Sequence, residues 1–84
     1  MVLEKTHKVT LINDNINSYE FVMACLIRYC EHDIIQAEQC AFITDKVGRC
    51  DVKLGGIDTM YTLQQNLEEI GLKAELNVYE SNLH

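Results

Sequence analysis

The stretch HKVTLINDNINSYEFV, residues 7–22, decides how this chain of 84 residues is organised. Its first part is apolar and β-branched with alternating polarity, which predicts a strand. The asparagine-rich segment Asn13–Ser18 then breaks the strand, and an apolar helical pattern begins at once. Asn17 followed three positions later by Glu20 predicts a capping box at the start of that helix. The segment is therefore a turn with a cap, and its polar side chains either serve only that turn or also face a ligand.

The remainder of the chain contains two more helical patterns and two more strand patterns. Gly48 and Gly71 are predicted to end the second and third helices, because glycine readily adopts the left-handed backbone that follows a helix. The predicted strands are Thr6–Ile12, Arg49–Leu54 and Leu72–Tyr79, and the predicted helices run from the Asn17 cap to about Glu31, from the Asp33 cap to about Val47 and from Asp58 to Ile70.

The alternation within the strands predicts the fold. In the second strand, Cys50, Val52 and Leu54 are expected to face inward and Lys53 outward. Strands with one polar face favour antiparallel pairing, with the helices on the apolar face. The predicted fold class is α+β, a two-layer sandwich of order β-α-α-β-α-β with a three-stranded antiparallel sheet and three helices on one face. We expect a single domain over residues 1–84, with its core at about residues 6–80.

Composition narrows the classes of function. The net charge of −6 argues against sequence-independent binding of nucleic acid, which requires clustered Lys and Arg. The longest apolar run is too short to span a bilayer, and the opening MVLEKTHK lacks the apolar segment of a signal peptide. We therefore expect a cytoplasmic protein with neither a membrane nor a nucleic acid as partner.

The four cysteines, Cys25, Cys30, Cys40 and Cys50, form no C-x-x-C pair. Without a secretory signal, disulfides are not expected, and free cysteines behave as small buried hydrophobes. A metal or enzymatic site built on Cys30, His32 and Cys40 would have to show stoichiometric zinc or sensitivity to alkylation, and the spacing does not call for it. We expect no cofactor and no catalysis.

The opening stretch resembles the start of the ClpS family, the adaptor proteins of ATP-dependent Clp proteases. The family has a strand that ends in an Asn-Asp turn, followed by a capping residue and a Glu-Phe-Val run. Here these are Asn13-Asp14-Asn15, Asn17 and Glu20-Phe21-Val22. The resemblance covers nearly the whole chain. It implies an adaptor without catalytic activity that binds the first residue of substrate proteins with destabilising amino-terminal residues and presents them to the N-terminal domain of a Clp AAA+ ATPase for degradation.

The resemblance also implies a pocket for the peptide amino terminus. Its binding residues would be Asn13, Asp14, Asn15, Asn17 and Asp45, and its walls and gate would be Tyr19, Val22, Ala41 and Thr44. The chemistry suits that role, because an α-ammonium is a cation with three donors and a carboxylate flanked by amide oxygens accepts all of them.

Three of these positions differ from the family pattern. Asp45 stands where the family has a histidine, Ala41 where it has a methionine-type wall, and Tyr19 where it has a small gate residue. Asp45 is then either an acceptor for the ammonium or a solvated helix end, and Tyr19 is either a gate or part of the core.

The sequence leaves open two alternatives to an adaptor that delivers substrates to the ATPase. About five residues precede the first strand, where family members carry an extension that takes part in engaging the ATPase. The chain would then be a divergent regulator that docks on the Clp ATPase without recognising amino termini. The size and element order also resemble the C-terminal domain of the ribosomal stalk protein, which would make the chain a ribosome-associated interaction domain.

Overall fold

The computed structural model describes residues 5–79, and the order of elements is the one predicted. The elements are β1 (His7–Ile12), α1 (Tyr19–Cys30), α2 (Ile34–Val47), β2 (Arg49–Gly55), α3 (Ile57–Glu69) and β3 (Lys73–Val78). Each boundary falls within two residues of the predicted one. The α+β fold class is confirmed.

The first strand of the chain lies in the middle of the sheet. The strand order is β2-β1-β3, and β1 pairs antiparallel with both neighbours. On its inner face, Val9 and Leu11 are buried against the helices. On its outer face, Thr10 is fully buried, and its hydroxyl donates to the Asp51 carboxylate at 2.7 Å and accepts from the Asn77 amide at 3.3 Å. The middle strand is thus fixed from both faces.

A β-bulge in β2 overturns part of the predicted alternation. The pairing shifts between Val9 and Thr10, so that Val9 lies opposite Lys53 and Lys8 lies opposite Leu54. The bulge inserts one extra residue into β2, and beyond it every side chain changes face. The prediction that Leu54 faces inward and Lys53 outward is therefore wrong. The Lys53 ammonium instead reaches the helical layer, where it donates to the Cys30 carbonyl at 3.1 Å.

The helix caps agree with the sequence prediction at α2 but not at α1. Asp33 caps α2 by accepting from the backbone N–H of Gln36 at 2.7 Å, and Gly48 ends it with a φ of 105°. At α1 the cap is Ser18, whose hydroxyl accepts from the backbone N–H of Phe21 at 3.1 Å. The predicted capping role of Asn17 is wrong, because its side chain is bound to groups before the helix and across the fold.

The core lies between the sheet and the three helices. Its fully buried large side chains are Val9, Leu11, Leu26, Met60 and Leu67, together with Cys30. Cys25 is buried beside them, whereas Cys40 and Cys50 pack at the margin, and all four cysteines are free thiols. Among residues 5–79, no helix is long and apolar enough to cross a membrane, and no cluster of three or more metal-ligating side chains forms.

Candidate functional site

A cavity of about 190 Å3 opens where β1 ends, between the start of α1 and the second half of α2. Nine residues line it, and they are the nine that the family resemblance implied: Asn13, Asp14, Asn15, Asn17, Tyr19, Val22, Ala41, Thr44 and Asp45. The fold therefore brings together residues that are up to 32 positions apart in the sequence, from Asn13 to Asp45. Their roles in binding stay a prediction.

Asp14 is held as an oriented anion on the rim of this cavity. One oxygen, Oδ1, accepts from the backbone N–H groups of Ile16 and Asn17, both at 3.0 Å. The Asn17 side-chain amide donates to both carboxylate oxygens, at 3.2 and 3.1 Å. Oδ2 has this single partner among the described residues, which leaves acceptor capacity for a further donor.

The Asp14 carboxylate is harder to protonate than an ordinary aspartate. Desolvation opposes its ionisation, but the hydrogen bonds from Asn17 and Ile16 and the charge of Lys73 outweigh it, so the pKa of Asp14 falls below its ordinary value of 3.8. The carboxylate is therefore fully ionised at neutral pH and available to a cation.

Asn17 joins the turn to the α3–β3 connection at the same end of the sheet. Besides binding Asp14, its side-chain amide donates to the backbone carbonyl of Gly71 at 2.9 Å. Gly71 lies in the α3–β3 connection and adopts a φ of 101°, a conformation that a residue with a Cβ adopts only with strain. The backbone N–H of Asn13 likewise donates to the Gly48 carbonyl at 2.9 Å. The turn is thus tied to both of the connections that flank it.

Tyr19 crosses the mouth of the cavity from α1 to α2. Its hydroxyl donates to the backbone carbonyl of Glu38 at 3.0 Å, and its ring is half-buried. Burial, followed by the charges of Glu38, Asp45 and Glu20, raises the pKa of Tyr19, so the hydroxyl keeps its proton and its role as donor. Tyr19 lines the cavity and is not part of the buried core, and its role as a gate stays a prediction.

The inner wall of the cavity is small and partly apolar. Ala41 is buried, Val22 is half-buried, and Thr44 is buried with its hydroxyl donating to the Cys40 carbonyl at 2.8 Å. Because that bond occupies its hydrogen, Thr44 presents mainly its methyl group and oxygen lone pairs to neighbours. Ala41 takes up little space, which leaves room for an inserted side chain.

Asp45 lies on the opposite rim from Asp14, in the last turn of α2. Its side chain is 55% exposed, and the Lys46 ammonium lies 3.7 Å away with 62% exposure. A pair this exposed between adjacent residues contributes little to stability. The cavity therefore carries two carboxylates, one rigidly oriented and one solvated.

Sequence reasoning missed the floor of the site. A small void of about 20 Å3 adjoins the cavity and shares five of its residues, and its other walls are Leu11, Ile12 and Leu72. Leu72 follows α3 and pointed only to the core in the sequence. No local signal connects it with the Asn-Asp turn, because the contact exists only after the sheet has closed.

A larger cavity of about 460 Å3 lies elsewhere, beside the α1–α2 connection and β2. Some of its polar groups bind one another: the Lys53 ammonium donates to Glu31 at 3.1 Å, and the buried His32 donates through Nε2 to the Val52 carbonyl at 2.7 Å, whereas Nδ1 of His32 has no hydrogen-bond partner among the described residues. Burial raises the pKa of the Cys30 thiol at its edge to about 12, so that thiol stays protonated at neutral pH. The arrangement supports the fold and offers no nucleophile.

Acid is expected to remove stability through Asp14 and Asp51. For both, desolvation is outweighed by hydrogen bonds and neighbouring cations, so their pKa values in the folded protein lie below 3.8. A lowered pKa stabilises the folded state above the unfolded pKa and loses that contribution as pH falls through the folded value. The free energy of unfolding in urea should therefore lose these contributions only below about pH 4.

The Asp51→Asn variant isolates one of these contributions. Its stability deficit relative to the parent protein should be present at neutral pH and should shrink as the pH falls below about 4, where Asp51 becomes neutral in both states. A deficit that stays constant down to pH 2 would contradict the assignment to the charge of Asp51.

Both the sequence and the fold of this chain are similar to those of known proteins. The family model for the ATP-dependent Clp protease adaptor protein ClpS matches residues 3–76. The chain belongs to the ClpS family. The fold is similar to that of ClpS2 from Agrobacterium tumefaciens, solved bound to L-phenylalaninamide, with a TM-score of 0.76 and 20% sequence identity over 89% of this chain and 98% of that one. No curated protein matches the sequence.

Membership of the ClpS family bears on the predictions about which class of protein this is, an enzyme, an adaptor or a ribosome-associated domain. ClpS proteins are adaptors of Clp proteases and not catalysts, which agrees with the expectation of a non-enzymatic protein. The family match favours a ClpS-type adaptor over the ribosomal stalk-like alternative.

Proposed function

We propose that this protein is an adaptor that binds the amino-terminal residue of substrate proteins in the cavity at the end of β1 and presents them to a Clp AAA+ ATPase for degradation. The observation that carries the proposal is the oriented Asp14 carboxylate on the rim of a 190 Å3 cavity in a ClpS-family chain. The related ClpS2 was solved with an amino-acid amide, a molecule with the free amino group and amide of a peptide's first residue.

Binding would begin at Asp14. A peptide α-ammonium donates to Oδ2, which has acceptor capacity left, and gains a charge-assisted hydrogen bond. The amide side chains of Asn13 and Asn15, both exposed on the rim, can accept its other hydrogens or pair with the first peptide group. Because Asp14 is already oriented by the turn, no side-chain entropy is lost when the ammonium arrives.

The first side chain would enter between the two helices. Val22, Ala41 and Thr44 form the wall that it contacts, and Tyr19 lies across the mouth. The rest of the substrate would leave the cavity towards solvent, so binding would depend on the first residue and not on the remainder of the substrate. The adaptor does not need to change the substrate covalently. It supplies proximity between substrate and ATPase, and we place this event in the cytoplasm, with the N-terminal domain of the ATPase as the docking partner.

The proposal predicts that a free amino terminus is indispensable. Fluorescent peptides that differ only in their first residue (Leu, Phe, Tyr, Trp, Arg or Ala) should be titrated with free and with acetylated amino termini. Acetylation removes the charge and two donors, so binding should weaken by about tenfold or more, as expected for the loss of a charge-assisted bond. Fluorescence anisotropy measures the dissociation constants.

Delivery is tested separately. A reporter protein that carries a binding first residue should be degraded faster by a Clp ATPase and its peptidase when the adaptor is added, and an acetylated reporter should not. If no peptide in the panel binds, or if acetylated and free peptides bind equally, amino-terminal recognition is excluded.

The divergent regulator is the second candidate, and the bond between Tyr19 and Glu38 is the observation that favours it. That bond closes the space between α1 and α2 across the mouth, which would keep a side chain out. If the protein is such a regulator, it should bind the ATPase and slow the degradation of substrates delivered by other adaptors. None of the peptides should then bind to it.

A further inference from the structure

The lining of the cavity is more polar than an apolar first residue requires. Of its nine lining residues, only Val22 and Ala41 have purely aliphatic side chains, and two, Asp14 and Asp45, carry carboxylates. Pockets that take apolar side chains are lined predominantly by apolar and aromatic groups, with few polar ones to fix orientation. An arginine or lysine side chain in this cavity could pair with the Asp45 carboxylate, which a leucine or phenylalanine side chain cannot do.

A single ammonium brings one positive charge to a cavity that carries two carboxylates, Asp14 and Asp45. Asp14 is the anion that the turn orients, and the peptide α-ammonium brings one positive charge to it. Asp45 is left with Lys46, at 3.7 Å and with both side chains more than half exposed. The Lys46 ammonium also lies 5.9 Å from the centre of the Phe42 ring, so it is shared between two weak contacts. Asp45 therefore has room for a better cation.

The position of Asp45 in α2 indicates that its carboxylate does not stabilise the helix. It lies in the last turn, where the helix dipole is negative and a carboxylate is unfavourable. A cation beside Asp45 would offset both the carboxylate and the negative end of the helix.

Other negative charges reinforce the preference. Tyr19, which lines the cavity, is followed by Glu20 in α1, and its hydroxyl donates to the backbone carbonyl of Glu38 in α2, so two further acidic residues lie next to the lining. The Tyr19 ring itself lines the cavity and offers an aromatic face to a guanidinium or ammonium group.

We infer that the cavity prefers substrates whose first residue is arginine or lysine, with the α-ammonium on Asp14 and the side-chain cation on Asp45. The inference rests on the proposed function and deepens it by naming the class of first residue. Arginine is the better ligand of the two, because its planar guanidinium pairs with a carboxylate through two parallel bonds and stacks on an aromatic ring.

The test compares peptides that are identical after a first residue of Arg, Lys, Leu, Phe or Ala. Each is titrated by fluorescence anisotropy, with free and acetylated amino termini, against the parent protein and the Asp45→Asn and Asp58→Asn variants. Asn keeps the shape of Asp45 and removes its charge. Asp58 is exposed on α3, away from the cavity, so Asp58→Asn makes the same change in net charge and serves as the matched control.

The inference expects free Arg and Lys peptides to bind about tenfold more tightly than Leu and Phe peptides, the gain typical of one additional hydrogen bond between charged groups. Asp45→Asn should abolish this preference, and Asp58→Asn should retain it.

Three outcomes would overturn the inference. If Leu and Phe peptides bind more tightly than Arg and Lys peptides and acetylation abolishes their binding, the preference is wrong and the proposed function stands. If the preference for Arg survives acetylation or Asp45→Asn, it reflects the overall negative charge and not this cavity. If no peptide binds, the proposed function fails and this inference fails with it.

Discussion

Replacing Asp14 by asparagine should weaken the binding of peptides with a free amino terminus by about 10- to 150-fold, the loss expected when a hydrogen bond between charged groups is removed. Asparagine keeps the Oδ1 acceptor that the backbone N–H groups of Ile16 and Asn17 need, so the turn should persist. The negative charge is lost, and one of the two oxygens that accept from the Asn17 side-chain amide becomes an amide nitrogen. The result is measured as the ratio of dissociation constants for one peptide in the two proteins.

The matched control for this change is Asp33→Asn. Asp33 also holds a backbone N–H, that of Gln36 at the start of α2, but it does not line the cavity. Asp33→Asn should leave peptide binding unchanged within about twofold, since asparagine is as good an N-cap as aspartate. Equal losses in the two variants would mean that the charge of Asp14 has no special part in recognition. Asp14→Ala should be worse than Asp14→Asn, because it removes the acceptor from the turn as well.

Replacing Leu26 by alanine should lower the free energy of unfolding by about 2–5 kcal/mol, the range for buried leucine truncations. Leu26 is fully buried in α1 and belongs to the core between the helices and the sheet. A domain of this size buries a modest core and has a correspondingly small stability, so the loss is a large share of the total. Urea unfolding followed by circular dichroism provides the measurement.

The next residue along the helix gives the control. Ile27 is a similarly large aliphatic side chain in α1 but is 40% exposed. Ile27→Ala should cost under about 1 kcal/mol, because it leaves no closed cavity and alanine favours the helix. Comparable losses for the two variants would show that burial of Leu26 does not carry the expected share of stability.

Periodicity was sufficient to predict the elements of this fold but not the details of their pairing. The alternation in β2 holds up to Val52 and then reverses, because a single bulged residue shifts the register opposite Val9 and Thr10. The bulge depends on the partner strand, and nothing within RCDVKL distinguishes it. The middle position of β1 is likewise a property of three strands together.

The N-cap of α1 shows the same limit on a smaller scale. Asn17 and Ser18 are adjacent, and both are good capping residues. Ser18 takes the role because the Asn17 side chain is engaged by Asp14 and by the Gly71 carbonyl, 54 positions later in the chain. A local sequence pattern cannot predict an N-cap that depends on a group so far along the chain.

The candidate site was predictable by a different route. Composition and spacing alone left the Asn-Asp segment as a turn, and the nine lining residues came from the resemblance to a family. The floor residue Leu72 and the tie from Asn17 to Gly71 were missed, because both depend on the closure of the α3–β3 connection against the turn.

The middle position of β1 has a consequence for how the protein folds during its synthesis. The Thr10 side chain meets partners 41 and 67 positions further along, so β1 emerges from the ribosome long before either neighbouring strand has been made. Contacts this distant in sequence close late, since the chain must lose much of its freedom before it gains them. The Asp14 turn is completed only when Gly71 and β3 have been synthesised. A nascent chain therefore cannot form the bond between Asn17 and Gly71 until most of the chain has been synthesised, and an unfinished copy lacks one of the contacts that hold the site together.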